Sequence, residues 1–293
     1  MLRIATRGSA LARWQADRVA ALLGASGEAS VEMVVVSTSG DQRRDVPIHA
    51  MGGTGVFVKE VQDAVLDGRA DIAVHSAKDL PAVTADGLML ACVPERADAR
   101  DAMIGSSLDA LPEGARVATG SVRRRAQLAA VRPDLEFAEL RGNIDTRLAK
   151  AVDFDAIVLA CAGLDRLGLG DRIAERLSVD VMLPMVGQGA LAVECRADDR
   201  STLDALAKVN DDTIQRALAA ERAYLAELGG GCTLPCAAYA TVDGNDIVID
   251  ALLAAPDGPP IVRQQVTNSD PMRAGQEVAW KVLEHGGTEL LER

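Results

Sequence analysis

Three stretches of the sequence carry side chains that could do chemistry. The first is GGGCTLPC (229–236), which sets Cys232 in a glycine turn, four residues before Cys236. A thiol held there could serve a metal, a disulfide, a redox pair or a covalent attachment. A metal needs further ligands, yet the three histidines, His49, His75 and His285, stand singly and there is no second cysteine pair. The spacing is also not the C-x-x-C of a redox pair. Five cysteines is an odd number. The start of the chain, MLRIATRGSALARWQ, is broken by Arg3, Arg7 and Arg13 and does not read as a secretory signal. The expected location is therefore the cytoplasm, with thiols mostly reduced, which demotes a structural disulfide.

The second stretch is DIAVHSAKDLP (71–81), an apolar run that enters His-Ser-x-Lys-Asp and stops at Pro81. Ligands of open α/β sheets bind at the carboxyl ends of the strands, which sets Lys78 and Asp79 at such a rim. An aspartate beside a lysine and a positive cleft stays ionised, and can stabilise a developing cation or pass a proton. Taken alone, the Lys-Asp dipeptide reads more simply as an exposed pair. The third stretch is a basic window, 116–150. Its seven arginines and one lysine against four acids give +4 in a chain of net charge −12, so the remainder carries −16. Arg123, Arg124 and Arg125 fall in the first turn of an expected helix, where cations oppose the helix dipole unless anions join them. Arginine suits forked recognition of carboxylates; a solvated helix face is the plainer reading. GGTGVFVK (52–59) fits neither phosphate-loop nor dinucleotide spacing. It reads as a flexible glycine turn opening a helix, whose N-terminus could still hold an anionic group.

These residues need elements to hold them. With 293 residues, 48% of them hydrophobic, the chain can build two or three domains. Strands are expected at 2–6, 31–37, 71–76, 88–93, 115–120, 155–160 and 190–195. Several are continuous apolar runs, as in sheets covered on both faces. Helices are expected from Ser9 to Gly24, over 56–67, and from Ser121 toward Pro133. This alternation implies α/β domains with mainly parallel sheets. PERADARDA (94–102) and MLPMVGQGA (182–190) read as crossings out of and back into the first domain, with a hinge. A long helix at 212–228, three β-rich runs and a final helix then read as a small α+β domain. The expected domains are 1–94 with 190–207, then 100–183, then 212–293. No apolar run is long enough to span a bilayer. RNA binding is disfavoured by the acidic charge and by only seven aromatic residues.

With these motifs assembled, the chain resembles the hydroxymethylbilane synthase (porphobilinogen deaminase) family. The matching stretches are IATRGSALARWQA, GVFVKE, ADIAVHSAKDLP, GSVRRRAQL, LRGNIDTRL, LPMVGQGALAVECR and ERAYLAELGGGCTLP, in the family's order over nearly the whole chain. The resemblance implies a fold of two hinged, doubly wound, periplasmic-binding-protein-like α/β domains plus a small α+β domain. It implies an enzyme that joins four porphobilinogen molecules on a dipyrromethane cofactor, releasing ammonia each time. The cofactor's thioether falls on Cys232, the catalytic role on Asp79. Cofactor contacts fall on Lys78, Arg123, Arg124, Arg147, Ser76, Thr119, Ser121, Thr146 and Gln188. Substrate contacts fall on Arg7, Ser9, Gln15, Phe57, Arg141 and Arg166. Cys236 matches no functional position, and Arg132 is expected to tolerate substitution. No metal, nucleic acid or membrane is implied, and a monomer is expected. Ala50, Thr54 and Gly120 depart from the family's usual residues. A non-catalytic module binding a small polyanion is the competing reading, and leaves Cys232 and Asp79 without roles.

Overall fold

The computed structural model describes residues 1–27, 30–38, 58–230 and 234–292. Cys232, Phe57, Ala50 and Thr54 lie outside the described residues. Contacts gather the chain into two units, Met1–Ala97 with Ala190–Arg216 and Asp98–Gly189 with Ala217–Arg293. In chain order come β1 (Leu2–Arg7), α1 (Ala10–Ala25), β2 (Val31–Val36), α2 (Lys59–Leu66), β3 (Ile72–Ser76) and β4 (Leu88–Cys92). Next are β5 (Asp101–Ile104), β6 (Arg116–Ala118), α3 (Val122–Val131), β7 (Glu136–Ala138), α4 (Ile144–Ala149), β8 (Ala156–Ala160), α5 (Cys161–Arg166) and β9 (Glu175–Arg176). The chain continues as β10 (Leu191–Arg196), α6 (Arg200–Ala207) and α7 (Asp212–Glu227). It ends with β11 (Cys236–Asp243), β12 (Asp246–Ala255), β13 (Gly258–Asn268), α8 (Pro271–Val282) and a last turn of helix.

The first unit holds a five-stranded sheet in the order β2-β1-β3-β10-β4. The second holds the order β7-β6-β8-β5-β9, and a separate antiparallel sheet β11-β12-β13. The two large sheets share one wiring. In each, three parallel strands are followed by one that runs against them, β10 in the first and β5 in the second. The expectation of mainly parallel sheets is thus corrected to mixed sheets. The reversal has a local cause. Leu191 pairs with Ser76 at the end of β3, and Asp101 pairs with Ala160 at the end of β8. Each reversed strand therefore enters beside the carboxyl end of its neighbour and must run back. Residues 101–104, at the tail of the expected crossing, are this strand, and all four are buried.

Alternation along the strands sends apolar side chains to both faces. Ile4, Ile72, Val74 and Val193 pack against Val19 and Leu23 of α1 and Leu206 of α6. Ala5 and Ala73 turn to the other face, under Val61 and Val65 of α2. In the second unit Val117, Val158 and Met103 meet Leu128 of α3, while Ile157 and Leu159 meet Leu164 of α5. Ser9 caps α1 as expected, but the helix runs to Ala25 and the left-handed residue is Gly27, at φ 101°, rather than Gly24. Gly68 and Gly229 end their helices with positive φ, as expected.

The long helix α7 ends five residues before Cys232 in sequence, and α8 braces the helix at one close crossing. A Cβ on Gly275 would lie 2.6 Å from the Ala223 Cβ and press on the Ala220 carbonyl. We predict that Gly275→Ala destabilises the protein by about 1–3 kcal/mol through overpacking, although alanine is the better helix former by ~1 kcal/mol. Denaturant unfolding would check this; an unchanged or raised midpoint would show that the helices can part freely.

Candidate active site

The first unit builds a cavity at the carboxyl rim of its sheet. Arg7 ends β1, Ser9 opens α1, and Ser76 ends β3; the next turn, Ala77–Asp79, carries Asp79. Arg7, Ser9, Gln15, Ser76 and Asp79 line one cavity of about 60 Å³, with His75, Val58, Val61 and Val74 among its other walls. The anchoring is local and specific. Ser9 Oγ accepts the Ala12 amide at 3.3 Å. Gln15 is buried and donates its Nε2 to Ser76 Oγ at 2.6 Å, joining α1 to the end of β3. The Ala77 amide donates to the Ala190 carbonyl at 3.0 Å, which fixes the turn bearing Asp79. Lys78 belongs to that turn but does not line the cavity. Five residues named from the sequence thus meet in one place. His75 joins them without having been given a site role; its sequence signal was a polar residue interrupting an apolar strand.

The second unit gathers the arginines around a carboxylate that sequence reading overlooked. Asp101, the first residue of β5, is wholly buried. It receives Arg123 at 2.8 Å, Arg124 at 2.9 Å and the Gln188 amide at 3.0 Å. Arg123 also donates to the Leu183 carbonyl at 2.7 Å, and Arg124 to the Val158 carbonyl at 2.9 Å. Both arginines are nearly enclosed, so a solvated helix face is excluded for them. Arg125 instead pairs with Asp257. Burial pushes the Asp101 carboxyl up, but Arg123 and Arg124 outweigh it and hold the group below its ordinary value. Burial pulls the Arg123 guanidinium down; Asp101 raises it and Arg124 lowers it further. The dipole cost of cations at the start of α3 is thus met in part by an internal anion.

The remaining named residues take varied places. Ser121 caps α3, accepting the Arg124 amide at 3.4 Å, and its own amide donates to the buried Thr119 hydroxyl at 3.2 Å. Arg166 is buried and donates to the Gly189 carbonyl at 2.8 Å. Arg141 pairs with Glu139 at 3.0 Å at a partly exposed site. Thr146 donates to Asn143 Oδ1 at 2.8 Å in the first turn of α4, whose last turn holds Arg147. Arg141, Thr146, Arg147 and Arg166 line neither cavity described here. Gly120 has a steric reason in this chain: a Cβ there would lie 2.7 Å from the Leu140 carbonyl oxygen. Arg132, expected to be dispensable, pairs with Asp134 and donates to the carbonyls of Leu108 and Pro112 at 3.0 and 3.1 Å. It ties the 108–112 stretch to the end of α3, and its replacement by leucine should lower the midpoint of denaturant unfolding.

Ser121 and Arg123 share a smaller cavity of about 20 Å³ with Met185, Val186, Leu225, Leu234 and Cys236. Leu234 and Cys236 directly follow Cys232 in sequence. Arg123 Nε is enclosed there without a hydrogen-bond partner among the described residues.

A sheet rim with an aspartate, an arginine and two hydroxyls, and a second with paired arginines, defines the class: an α/β protein with polar, charge-bearing rims at the carboxyl ends of its strands. Two domain families match the sequence, and they specify which member of that class it is. Residues 2–204 match porphobilinogen deaminase, dipyromethane cofactor binding domain, and residues 215–284 match porphobilinogen deaminase, C-terminal domain. The chain is 47% identical to the porphobilinogen deaminase of Acidithiobacillus ferrooxidans, covering 99% of this chain and 97% of that one. It is 48% identical to that of a Geobacillus species, covering 96% and 91%, and 44% identical to that of Brevibacillus brevis, covering 99% and 96%. The chain belongs to the porphobilinogen deaminase family. Among solved structures it is similar to the methionine-binding protein MetQ, with TM-score 0.41, 12% identity and coverage of 71% and 87%. It is similar also to the periplasmic aliphatic sulphonate binding protein SsuA from Escherichia coli, with TM-score 0.39, 15% identity and coverage of 77% and 69%. The fold class, two mixed five-stranded α/β sheets plus a small antiparallel one, rests on the wiring above.

Asp101 generates a direct test. We predict that Asp101→Asn, which leaves two buried guanidinia facing a neutral amide, destabilises the protein by about 3–5 kcal/mol. The sign with pH is set by the depressed carboxyl. Its stabilisation is full above the unfolded value, ~3.9, and is lost as pH falls through the folded one. The deficit of the variant should therefore narrow in acid. A deficit that stays constant down to pH 3 would exclude the ion cluster as its cause.

Proposed function

We propose that this chain is a hydroxymethylbilane synthase: it condenses four porphobilinogen molecules head to tail, releases one ammonia at each step, and delivers 1-hydroxymethylbilane. The observation that carries the reading is the meeting of Asp79 with Arg7, Ser9, Gln15 and Ser76 in one cavity of a porphobilinogen deaminase sequence. Each porphobilinogen brings an acetate and a propionate. Arg7 offers a guanidinium to one such carboxylate, and the Ser9 hydroxyl adds a donor at the start of α1. Asp79 keeps a carboxylate against the pyrrole nitrogen, where loss of ammonia develops positive charge, and moves a proton at its oxygens. The full-length likeness to proteins named as deaminases favours this over a binding module without turnover.

Cys232 is the attachment point in this reading, and Lys78, Arg123, Arg124, Arg147, Ser76, Thr119, Ser121, Thr146 and Gln188 are the residues that would hold the dipyrromethane. When bound, that group supplies the primer on which the product grows. The other four cysteines support the choice by exclusion: all are buried, and burial pushes the thiols of Cys92, Cys161 and Cys195 up to about 12, 11 and 11. Thiols so raised are poor nucleophiles. Phe57, Arg141 and Arg166 complete the substrate path. We further place the enzyme in the cytoplasm, where unpaired cysteines persist, as a monomer of three domains, 1–94 with 190–207, 100–183 and 212–293. The three separate sheets support that division, and no helix among the described residues is long and apolar enough to cross a membrane.

Two experiments test the reading. Asp79→Asn should fold and keep its cofactor but lose at least ~100-fold in turnover of porphobilinogen; near-normal turnover would refute the role. Intact-mass measurement should find an added mass that survives denaturant, reductant and chelator, as a thioether does. Peptide mapping should put it on Cys232, and Cys232→Ser should lack both the mass and the activity. Fully active protein with an unmodified Cys232 would overturn the assignment.

A further inference from the structure

The cavity that holds Asp79 has a second titratable wall, His75, and behind it lies a buried carboxylate. His75 pairs with Ala192 across β3 and β10, so Glu194, two residues on, is its diagonal neighbour on the same face of the sheet. Both side chains are almost fully enclosed, and Oε2 of Glu194 lies 3.2 Å from Nε2 of His75. Gln62 of α2, packed over that face, donates its Nε2 to the same oxygen at 2.8 Å. A buried amide thus fixes the carboxylate, and the carboxylate faces one nitrogen of a ring that lines the reaction cavity. The imidazole and the carboxylate are at ion-pair distance but off the line of a formed hydrogen bond. Such contacts in an unliganded site tighten when charge develops. Among the described residues, the charged groups at the ring are Glu194 from β10, at ion-pair distance, and Asp79 from the turn after β3 and Arg7 from the end of β1, which line the same cavity.

We propose that His75, oriented by Glu194, is a second proton-transfer residue of this cavity. The inference rests on the reaction proposed above. With Nε2–H directed at Glu194, Nδ1 carries the lone pair. After the new carbon–carbon bond forms, the pyrrole ring carbon must shed its proton. Nδ1 takes that proton, the C–H electron pair returns to the ring, and Glu194 balances the imidazolium. The proton then passes to the released ammonia, which leaves as ammonium. Asp79 is thereby free to stay ionised and to stabilise the cationic stage. One carboxylate need not serve as electrostatic partner and proton acceptor at the same moment.

The test is His75→Gln, because glutamine keeps an N–H donor for Glu194 but cannot exchange a proton. We expect wild-type melting temperature, wild-type covalent cofactor mass, KM within roughly threefold and kcat reduced ~100-fold. A kcat within threefold of wild type would overturn the proposal, since a merely structural role is satisfied by the amide. Nitrogen-15 spectra of the wild-type protein give a readout independent of turnover, and only three histidines must be assigned. The neutral His75 ring should carry its proton on Nε2, and Glu194→Gln should weaken that preference. A ring protonated on Nδ1 would refute the proposal even if the variants failed to fold. Absence of turnover in the wild type would instead count against the reaction itself.

Discussion

The second unit depends on a carboxylate with no access to water. Asp101 starts the strand that runs against its neighbours, and from that one position it reaches Arg123, Arg124 and Gln188. A buried cluster of this kind is weak evidence of net stability, because desolvating the charges costs about what their attraction returns. Its consequence is geometric. Two long, flexible cations are held at the start of α3, and the loop from Leu183 to Gly189 is bound beside them. Arg123 and Gln127 hold the Leu183 carbonyl, Glu221 holds the Gly187 amide, and Arg166 holds the Gly189 carbonyl. An anion meeting Arg123 therefore finds a guanidinium already placed, and less entropy is lost on binding.

The first unit solves a different problem with the same wiring. Its reversed strand, β10, brings Glu194 beside β3 instead of bringing an aspartate to a pair of arginines. The rim beside the start of that strand carries Asp79, which shares a cavity with Arg7 and Ser9. The Gln15–Ser76 hydrogen bond holds helix and strand in register with each other. In the second unit the reversed strand enters where its neighbour ends, so Asp101 arrives at the rim beside the start of α3. The face under α1 in the first unit and the face under α3 in the second are apolar clusters, whereas the opposite face of the first sheet buries Glu194 and His75.

Much of this was legible in the sequence. Apolar runs gave most strands to within a residue or two, because a strand covered on both faces has to be apolar along its whole length. Ser9 and Ser121 announced their helices through capping chemistry, which acts over three or four residues. The motif stretches 71–81 and 118–128 fell at strand ends as expected, and five of the named residues do share one cavity. The short strands β5, β7 and β9 were not legible. Runs of two to four residues carry too little periodicity to be told from loops, and β5 begins with an aspartate that reads as a surface residue. The distribution of the arginines among structural and binding duties was hidden as well, since Arg123, Arg125 and Arg132 are alike as letters.

What the sequence determined by itself is everything that depends on near neighbours: the alternation of strands and helices, their caps, and the rim position of Asp79. Tertiary structure alone decided which distant groups became partners. Asp101 lies 23 positions from Arg124, and Gln62 lies 132 positions from Glu194. Periodicity tells which face a side chain takes, but it does not tell which strand will lie alongside. The reversed entry of β5 and β10 settled that, and with it which buried charges are paired. The physical reason is that a buried ion is tolerable only beside its counter-ion, and that pairing exists only once the sheet has closed.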